Sequence, residues 1–270
     1  MPELPEVETI AAGVHARVHG ARIARVWHSE KPQTFKSPAE EIARALTGVL
    51  ISSVRRVGKT IVMTVERKKS STEFLIHLGM TGRLLVSAPD VPLATHTHMI
   101  LTLDDGRQIR FVDPRRFGRL SLQPADTPYT GPGSEPLTIS QSDFSALFHP
   151  RHTPIKAALL NQSLLHGVGN IYADEALFRS SVRPTRLAAS LTRIELTCLR
   201  TSLLDVLRQA IQLGGSSVSD YVDADGARGF FQLEHRVYQR TNQPCLVCKS
   251  PIRRIVLAGR STHFCSHCQK

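Results

Sequence analysis

The chain opens with a pattern that predicts an amphipathic helix. Apolar residues recur every three or four positions over residues 7–18, which is the spacing of one helix face. The members of this face are Val7, Ile10, Ala11, Val14 and Val18. Pro5 stands near the predicted start, where proline is well tolerated, and Gly20 marks the predicted end.

Alternating apolar and polar residues dominate the next hundred positions and predict β-strands and hairpins. Three runs carry this pattern: residues 51–65 with a turn near Gly58, residues 74–86, and residues 99–122 with a turn at Asp105-Gly106. This part of the chain is therefore predicted to be rich in β-sheet.

A stretch with neither pattern separates the two halves of the chain. Residues 123–136 contain four prolines and two glycines, a composition that supports neither a helix nor a central strand. Beyond it, the longest predicted helix begins at Thr192, where Glu195 completes a capping box, and stops at Gly214-Gly215. The second half is therefore predicted to be mainly helical.

The amino-acid composition indicates which kind of partner the protein binds. Lys and Arg number 34 against 23 Asp and Glu, so the formal net charge is +11 at pH 7. This excess favours a polyanionic partner, although it also serves simply to keep a protein dispersed. With 41% hydrophobic residues over 270 positions, the chain is long enough for one large or two modest domains.

The sequence also bears on the compartment in which the protein works. No run of 18 apolar residues is present, and acids stand near the N-terminus where a signal peptide carries bases. We therefore expect an intracellular protein with no membrane partner. In a reducing compartment, five cysteines do not indicate a disulfide framework, and metal binding becomes the leading explanation.

Four of the five cysteines form two pairs near the C-terminus. Cys245-x2-Cys248 and Cys265-x2-Cys268, separated by sixteen residues, match the spacing of a four-cysteine zinc site. Four protein ligands close the tetrahedral coordination sphere, so we expect structural rather than catalytic zinc. The alternative ligands nearby, which are not needed, are His263 and His267.

Other residues of the second half are interpreted from their positions. Arg253, Arg254 and Arg260 lie between the cysteine pairs and predict a basic face suited to phosphates, although solvated arginines explain them equally well. Arg260 is placed on a predicted hairpin turn at residues 259–261. The fifth cysteine, Cys198, lies within the apolar periodicity of the long helix and is predicted to be a small buried hydrophobe.

The N-terminus carries candidate covalent chemistry. If Met1 is removed, Pro2 offers a secondary α-amine beside the carboxylate of Glu3. An α-amine titrates near neutrality, so an appreciable fraction is nucleophilic at cellular pH. Attack on C1′ of a damaged nucleotide expels the base and leaves an iminium that acidifies the C2′ proton, with Glu3 as general acid or base at the sugar oxygen. Pro-Glu at a chain start is common and does not decide the function by itself.

Five motifs in one order decide between these interpretations. They are PELPEVET at residues 2–9, HLGMTG at 77–82, DPRRFG at 113–118, GVGNIYADE at 167–175 and the four-cysteine pattern at 245–268. Together they cover essentially the whole chain, and they resemble the motifs of the formamidopyrimidine-DNA glycosylase family.

The resemblance implies an α+β fold of two domains, with an N-terminal helix and β-sandwich followed by a helix-two-turns-helix domain that ends in a four-cysteine zinc finger. We accordingly expect a catalytic helix and sandwich over residues 1–122, a linker over 123–136, a helical DNA-binding domain over 137–234 and a zinc finger over 235–270. The resemblance also implies a monomer that binds double-stranded DNA containing damaged bases, with one structural Zn²⁺ and no nucleotide cofactor.

The activity implied by the resemblance is base-excision repair of oxidised purines, such as 8-oxoguanine and formamidopyrimidines, by a DNA glycosylase that is also an abasic-site lyase. Pro2 is expected to form the Schiff base and Glu3 to donate the proton in base release. Lys59 matches the family lysine assigned to β-elimination, and Arg260 matches the finger arginine assigned to δ-elimination. Each of these two cations also fits the role of a phosphate clamp.

An extruded base leaves a gap in the duplex, which the family fills with three side chains. These correspond to Met80, Arg115 and Phe117. Further DNA contacts of the family correspond to His96, Arg151, Lys156 and Asn170. His96 and His98 have strand spacing and are expected to share one face, where DNA contact or plain surface explains them better than a metal site.

Two further segments bear on the resemblance. Residues 221–231 are rich in Asp and Gly, which fits a long mobile loop or a plain surface loop equally well. In the family, residues 217–231 correspond to the segment thought to cover the extruded purine. The chain also has Gln239 where the family commonly has a glycine after Val-Tyr, and this substitution bears on the backbone geometry of that turn.

Two other activities stay open at this point. An endonuclease VIII-type enzyme excises oxidised pyrimidines, but such proteins tend to carry glycine at the position of Leu4. A non-catalytic zinc-finger DNA-binding protein needs only the net charge and the finger. That alternative leaves Pro2, Glu3 and Lys59 without an explanation.

Overall fold

The computed structural model describes residues 1–68, 70–124, 126–217 and 221–270. Its backbone separates into two units. Unit 1 comprises Met1–Thr130 and Leu213–Phe230, and unit 2 comprises Gly131–Gln212 and Phe231–Lys270. The chain therefore returns to unit 1 after its longest helix and finishes in unit 2.

Unit 1 contains helix α1 (Leu4–Val18), helix α2 (Ala39–Leu46) and eight strands. The strands are β1 (Ile23–His28), β2 (Leu50–Val57), β3 (Thr60–Arg67), β4 (Ser70–His77), β5 (Arg83–Ser87), β6 (Thr97–Leu103), β7 (Gln108–Val112) and β8 (Arg119–Pro124). They form two antiparallel sheets, with the orders β2-β3-β4-β8 and β1-β6-β7-β5. Buried side chains of α1 and of both sheets belong to one hydrophobic cluster, as in a β-sandwich covered by a helix.

The helix predicted at the start of the chain is confirmed as α1. Its predicted apolar face is at most 1% exposed at every position, because these side chains lie in the hydrophobic cluster. The residues concerned are Val7, Ile10, Ala11, Val14 and Val18. Helical spacing therefore identified the buried face correctly.

The predicted strand runs contain the predicted hairpin turns, but they do not show which sheet each strand joins. Gly58 (φ 58°) and Lys59 form a two-residue turn between β2 and β3, and the Asp105-Gly106 turn lies between β6 and β7. The run at 74–86 is not one strand, because the chain leaves β4 after His77 and enters β5 in the other sheet. The run at 99–122 likewise ends in β8, which belongs to the sheet of β4. Alternation shows which residues are half-buried but not which strand they pair with.

Unit 2 contains four helices and a two-stranded hairpin. The helices are α3 (Gln141–Phe148), α4 (Ile155–Leu159), α5 (Asn170–Arg179) and α6 (Arg193–Gln212), and the hairpin strands are β9 (Arg253–Leu257) and β10 (Arg260–Phe264). The predicted α+β class, with a strand-rich N-terminal half, a helical second half and a C-terminal finger, is confirmed. No helix among the described residues is long and apolar enough to cross a bilayer.

The long helix α6 begins as the sequence predicts. Glu195 N–H donates to the hydroxyl of Thr192 at 3.2 Å, and Thr192 N–H donates to the carboxylate of Glu195 at 2.8 Å, which is a capping box. The prediction for Cys198 is wrong, because this residue is exposed. The buried face of α6 passes through Leu196 and Leu199, and Cys198 lies about 100° around the helix from Leu199 and about 160° from Leu196, so it is outside that face.

Candidate active site and metal centre

The start of α1 carries the candidate nucleophile and is held by a buried carboxylate. Pro2 is buried, and Glu3 is the N-cap residue of α1 with 5% of its surface exposed. The backbone N–H groups of Glu3 and Ser216 each donate to the carboxylate of Glu6 at 2.8 Å. Glu6 is itself 2% exposed. One carboxylate therefore ties the helix start to the chain segment that follows α6.

Residues further along the same stretch of unit 1, after Ser216, pack into its hydrophobic cluster. Tyr221 is 8% exposed and Ala224 is 1% exposed, and both belong to the hydrophobic cluster. The hydroxyl of Tyr221 donates to the carbonyl of Gly214 at 2.9 Å, and Val86 N–H donates to the carbonyl of Ala224 at 3.0 Å. The interpretation of residues 221–231 as a plain surface loop is therefore wrong at Tyr221 and Ala224, because both side chains are buried. Residues 218–220 of the expected covering segment lie outside the described residues.

Lys59 is accompanied by a histidine that was not among the sequence candidates. The strand register places His77 of β4 opposite Thr60, the residue after Lys59. Nδ1 of His77 accepts the N–H of Gly79 at 3.1 Å. Burial, and then the charges of Lys59 and Arg119, hold the pKa of His77 below its usual value of about 6.5. His77 therefore lies near Lys59, and the signal that could have identified it is its place at the head of the HLGMTG motif.

The three expected gap-filling side chains are all at the surface of unit 1. Met80 is 43% exposed and Phe117 is 46% exposed, which is unusual for side chains of this size. Arg115 is also exposed, and its guanidinium carbon lies 4.6 Å from the centre of the Phe117 ring. The structure therefore presents two apolar bodies and one stacked cation to solvent.

Two loops that carry these side chains are fastened to each other. The buried carboxylate of Asp113 accepts hydrogen bonds from the Thr81 hydroxyl at 2.6 Å and from Gly118 N–H at 2.7 Å. A Cβ on Gly79 (φ 62°) would stand 2.5 Å from the carbonyl carbon of Phe117, so only glycine permits this approach. The loops at 78–82 and 113–118 therefore act as one rigid platform.

His96 and His98 do not share a face. His96 is exposed with φ 68° and precedes β6, whereas His98 is 4% exposed and lies within β6. The ring nitrogens of His98 lie 3.0 Å from the Ser29 hydroxyl and 3.0 Å from the Asp113 carbonyl. The expectation of a shared face is wrong because a register irregularity between Thr97 and Met99 interrupts the regular alternation of β6.

Three expected DNA-contact or catalytic residues of unit 2 have accessible or half-buried side chains. Asn170 is the first residue of α5, follows the N-cap Gly169, and donates from Nδ2 to the carbonyl of Ser261 at 2.9 Å. Arg151 is exposed. Arg260 is exposed as the first residue of β10, directly after the turn rather than on it.

Lys156 is the exception among these residues. It is 1% exposed, and its ammonium nitrogen lies 2.7 Å from the carboxylate of Asp174. It also donates to the carbonyl of Ser261 and to the hydroxyl of Thr262, both at 2.8 Å. Protein partners enclose this ammonium group, and the expected contact of Lys156 with DNA stays a prediction.

The turn that precedes the finger keeps an unusual backbone. Gln239 has φ 58°, a left-handed conformation that glycine adopts without strain. Just before it, the backbone N–H groups of Arg236, Val237 and Tyr238 donate to the fully buried carboxylate of Glu175 at 2.9–3.0 Å. The side chain of Gln239 therefore occupies a position that favours glycine.

The four C-terminal cysteines converge on one point. Their sulfur atoms all lie within 4.8 Å of one another, with 3.4 Å between Cys248 and Cys265 and 3.9 Å between Cys245 and Cys268. Hydrogen bonding from Ser250 lowers the pKa of Cys248 to about 6, whereas burial raises the pKa of Cys265 and of Cys268. Four converging sulfurs suit a soft or borderline divalent cation, which would hold them all as thiolates. The donor set therefore fits a structural metal.

Comparison with known proteins agrees with this arrangement. Three family models match in chain order: the formamidopyrimidine-DNA glycosylase N-terminal domain over residues 1–120, the H2TH domain of the same enzymes over residues 131–222, and a zinc finger found in FPG and IleRS over residues 242–270. The formamidopyrimidine-DNA glycosylase of Solibacter usitatus is 45% identical over 273 residues, and the alignment covers 100% of both chains.

Solved structures show the same similarity in three dimensions. The MutM (FPG) protein of Thermus thermophilus is 40% identical with a TM-score of 0.86, and 99% of this chain and 98% of that chain are covered. The Lactococcus lactis FPG mutant G226P, solved in complex with DNA containing Fapy-dG, is 32% identical with a TM-score of 0.92 over 100% of both chains. Because this similarity extends over the N-terminal domain, the H2TH domain and the zinc finger, the chain belongs to the formamidopyrimidine-DNA glycosylase family.

Proposed function

We propose that this protein is a DNA glycosylase that excises oxidised purines, including 8-oxoguanine and formamidopyrimidines, and then cleaves the strand at the abasic site. The observation that carries the proposal is the start of α1, where Pro2 and Glu3 are adjacent and held by the buried Glu6. The name of the Solibacter usitatus relative and the Fapy-dG DNA bound by the Lactococcus lactis G226P mutant support this substrate class, while another Lactococcus lactis complex holds DNA with an oxidised pyrimidine.

The proposed reaction begins once Met1 has been removed, because the lone pair of the Pro2 nitrogen is delocalised into the peptide bond until then. That nitrogen bonds to C1′ of the damaged nucleotide as the bond from C1′ to the base breaks, and its own proton passes to the departing base. Glu3 donates a proton to the sugar ring oxygen, so the bond from C1′ to that oxygen opens and leaves an iminium between C1′ and the Pro2 nitrogen. The resulting iminium withdraws electrons, so loss of the C2′ proton expels the 3′-phosphate, and a second elimination expels the 5′-phosphate. Hydrolysis of the iminium releases the sugar fragment and regenerates Pro2.

Two cations are proposed to stabilise the departing phosphates. Lys59 serves the first elimination and Arg260 the second, because positive charge beside a leaving phosphate lowers the free energy of the transition state.

The proposed DNA complex uses the exposed surfaces of each unit. Met80, Arg115 and Phe117 fill the gap left by the extruded base, with the arginine available to hydrogen-bond the unpaired partner base. His96, Arg151 and Asn170 contact the backbone. The protein acts as a monomer on double-stranded DNA.

One structural Zn²⁺ is proposed at the four cysteines. When bound, it would fold the finger and leave no coordination position open for water. Cys245, Cys248, Cys265 and Cys268 would hold it as thiolates, and the rest of the finger presents Arg260.

Borohydride trapping tests the proposal, because borohydride reduces an iminium to a stable covalent bond. On a duplex with 8-oxoguanine opposite cytosine, we expect a trapped complex with wild type, none with P2G, and none on undamaged DNA. E3Q is the matched control: it should lose trapping on 8-oxoguanine but retain it on a preformed abasic site. Trapping on oxidised pyrimidines alone would reassign the substrate, and tight binding without trapping would indicate a non-catalytic DNA-binding protein.

A further inference from the structure

The side chain of Lys156 is enclosed within unit 2. It lies in α4 with 1% of its surface exposed, 2.7 Å from Asp174, which is 0% exposed. Lysine is almost never fully buried without a charged partner, because removing an ammonium ion from water is unfavourable. The ion pair explains how the charge is tolerated but not what it contributes to the protein.

The same ammonium group is bonded to strand β10. It donates to the carbonyl of Ser261 and to the hydroxyl of Thr262, both at 2.8 Å. The carbonyl of Ser261 accepts a second hydrogen bond from Asn170 at 2.9 Å, and the hydroxyl of Thr262 donates to the carbonyl of Arg260 at 3.2 Å. These contacts fix the backbone directly after Arg260.

Asp174 extends the attachment by one more residue. Its second carboxylate oxygen accepts the backbone N–H of His263 at 2.9 Å and lies 3.2 Å from Nδ1 of the same residue. Three consecutive residues of β10, at 261–263, are therefore bonded to α4 or α5, while the side chain of Arg260 beside them is exposed. The backbone of β10 is therefore held in place, while the side chain of its first residue, Arg260, is accessible to a ligand.

We propose that Lys156 is a positioning residue for Arg260. It holds β10 in the place from which the Arg260 guanidinium meets the phosphate that leaves in the second elimination. This inference rests on the proposed function, because it assigns Lys156 to the step that Arg260 is proposed to assist. A displacement of about 1 Å at such a group is enough to slow one step strongly while other steps continue.

Two rival roles for Lys156 make different predictions. A lysine that contacts a DNA phosphate contributes about 0.9 to the slope of log K against log salt, whereas an enclosed positioning lysine contributes nothing to it. A lysine that only stabilises the finger would, when replaced, reduce zinc content and all reaction steps together. A positioning residue changes the ratio of δ- to β-elimination products and leaves zinc content and Schiff-base formation unchanged.

The experiment is a single-turnover reaction on a duplex with a preformed abasic site. Wild type, K156M, R260A and the K156M/R260A double variant are compared, with the exposed Lys31 replaced in K31M as the matched control. We expect K156M to lower the δ-to-β product ratio roughly tenfold, with borohydride trapping and zinc content within twofold of wild type. The double variant should have the ratio of R260A, because both changes act on one group.

A second variant keeps the test decisive if K156M does not fold. T262V removes one acceptor of the ammonium group and the hydrogen bond to Arg260 while it keeps the ion pair. We expect a two- to threefold lower product ratio with an unchanged salt slope for DNA binding. An unchanged ratio in T262V, together with an unchanged ratio or lost zinc in K156M, would overturn the inference.

Other outcomes separate this inference from the proposed function. A wild-type enzyme with normal β,δ products and a K156M salt slope lower by about one would show a phosphate contact and overturn the inference alone. Additive effects in the double variant would do the same. A wild type that forms no trapped complex overturns the proposed function, and the inference falls with it.

Discussion

The start of α1 and the strand β10 both carry proposed catalytic groups, but different forces hold them. Helix α1 packs its apolar face into the large hydrophobic cluster of unit 1. The finger contributes Val237, Cys245, Ile252 and Cys265 to a small buried cluster, which Phe178 of α5 completes. A small apolar cluster needs a metal or directed polar contacts to specify one structure. We therefore expect the two regions to lose their structure under different treatments.

Metal removal should produce the largest difference between them. Structural zinc contributes about 10–16 kcal/mol to the folding of small finger peptides, so we expect its chelation to unfold β9 and β10. Hydrogen exchange measures this directly, with amides of the finger losing protection and amides of α1 keeping theirs. Equal loss of protection in α1 would show that the two regions are not independently held.

A cavity in the helix packing should produce the converse result. Ile10 is 1% exposed, and I10A is expected to lower the free energy of unfolding of unit 1 by about 2–5 kcal/mol. Trp27, the single tryptophan, lies in β1 and reports this unit by fluorescence during denaturation. L93A, which truncates a side chain that is 59% exposed, is the control. Zinc content should stay unchanged in I10A. Loss of zinc in this variant would contradict the expectation that the start of α1 and the finger are held independently.

The polar attachment of the finger should appear as a pH dependence. Burial raises the pKa of Glu175 above its usual value, against the opposing hydrogen bonds from the backbone of Tyr238, Val237 and Arg236. A carboxyl with a raised folded-state pKa contributes stability below about pH 4.3 and loses it as pH rises through that folded-state value. We expect unit 2 of wild type to lose stability over this interval.

The isosteric E175Q variant should flatten that profile, since it keeps an acceptor for the three N–H groups and carries no charge. The expected difference from wild type is about 1.4 kcal/mol for each unit by which the pKa is raised. Denaturation followed by circular dichroism between pH 4 and 8 measures it, with the exposed Glu234 replaced in E234Q as the control. Parallel profiles for wild type and E175Q would contradict the assignment.

The smallest effect is expected at the turn before the finger. Gln239 has φ 58°, so Q239G should relieve strain and raise the stability of unit 2 by at most about 1 kcal/mol. Denaturation midpoints of Q239G and of N242G, a second left-handed position at φ 65°, should rise together. A lower midpoint in Q239G would show that the glutamine side chain makes a stabilising contact larger than the backbone strain.

Local patterns predicted the elements of this fold better than their partners. The apolar face of α1, the cap formed by Thr192 and Glu195, and the turn at Gly58-Lys59 each depend on residues within a few positions, and all three are confirmed. The assignment of β8 to the sheet of β4 depends on pairing between residues 42 to 52 positions apart, from His77 with Arg119 to Thr72 with Pro124. No periodicity encodes that pairing, so the sequence left it open.

The candidate site shows the same limit. The convergence of the cysteines was predictable because their spacing is the chemical signal. The burial of Lys156 was not, because its partners Asp174 and Thr262 lie 18 and 106 positions away and a lysine near DNA motifs suggests a phosphate contact. The exposure of His98 and of Cys198 was predicted wrongly for a similar reason, since one irregularity of register or a shift of one position along a helix reverses exposure.

The position of the first two residues has a practical consequence for making this protein. Met1 is 48% exposed while Pro2 beneath it is buried. Any affinity tag or fusion partner joined to the N-terminus converts the proposed nucleophile into an amide, so we expect such a fusion to form no Schiff base. A cleavage site placed so that proteolysis liberates Pro2 would restore the free amine. We therefore expect proteolysis of the fusion to start the reaction at a chosen moment, on DNA that was added beforehand.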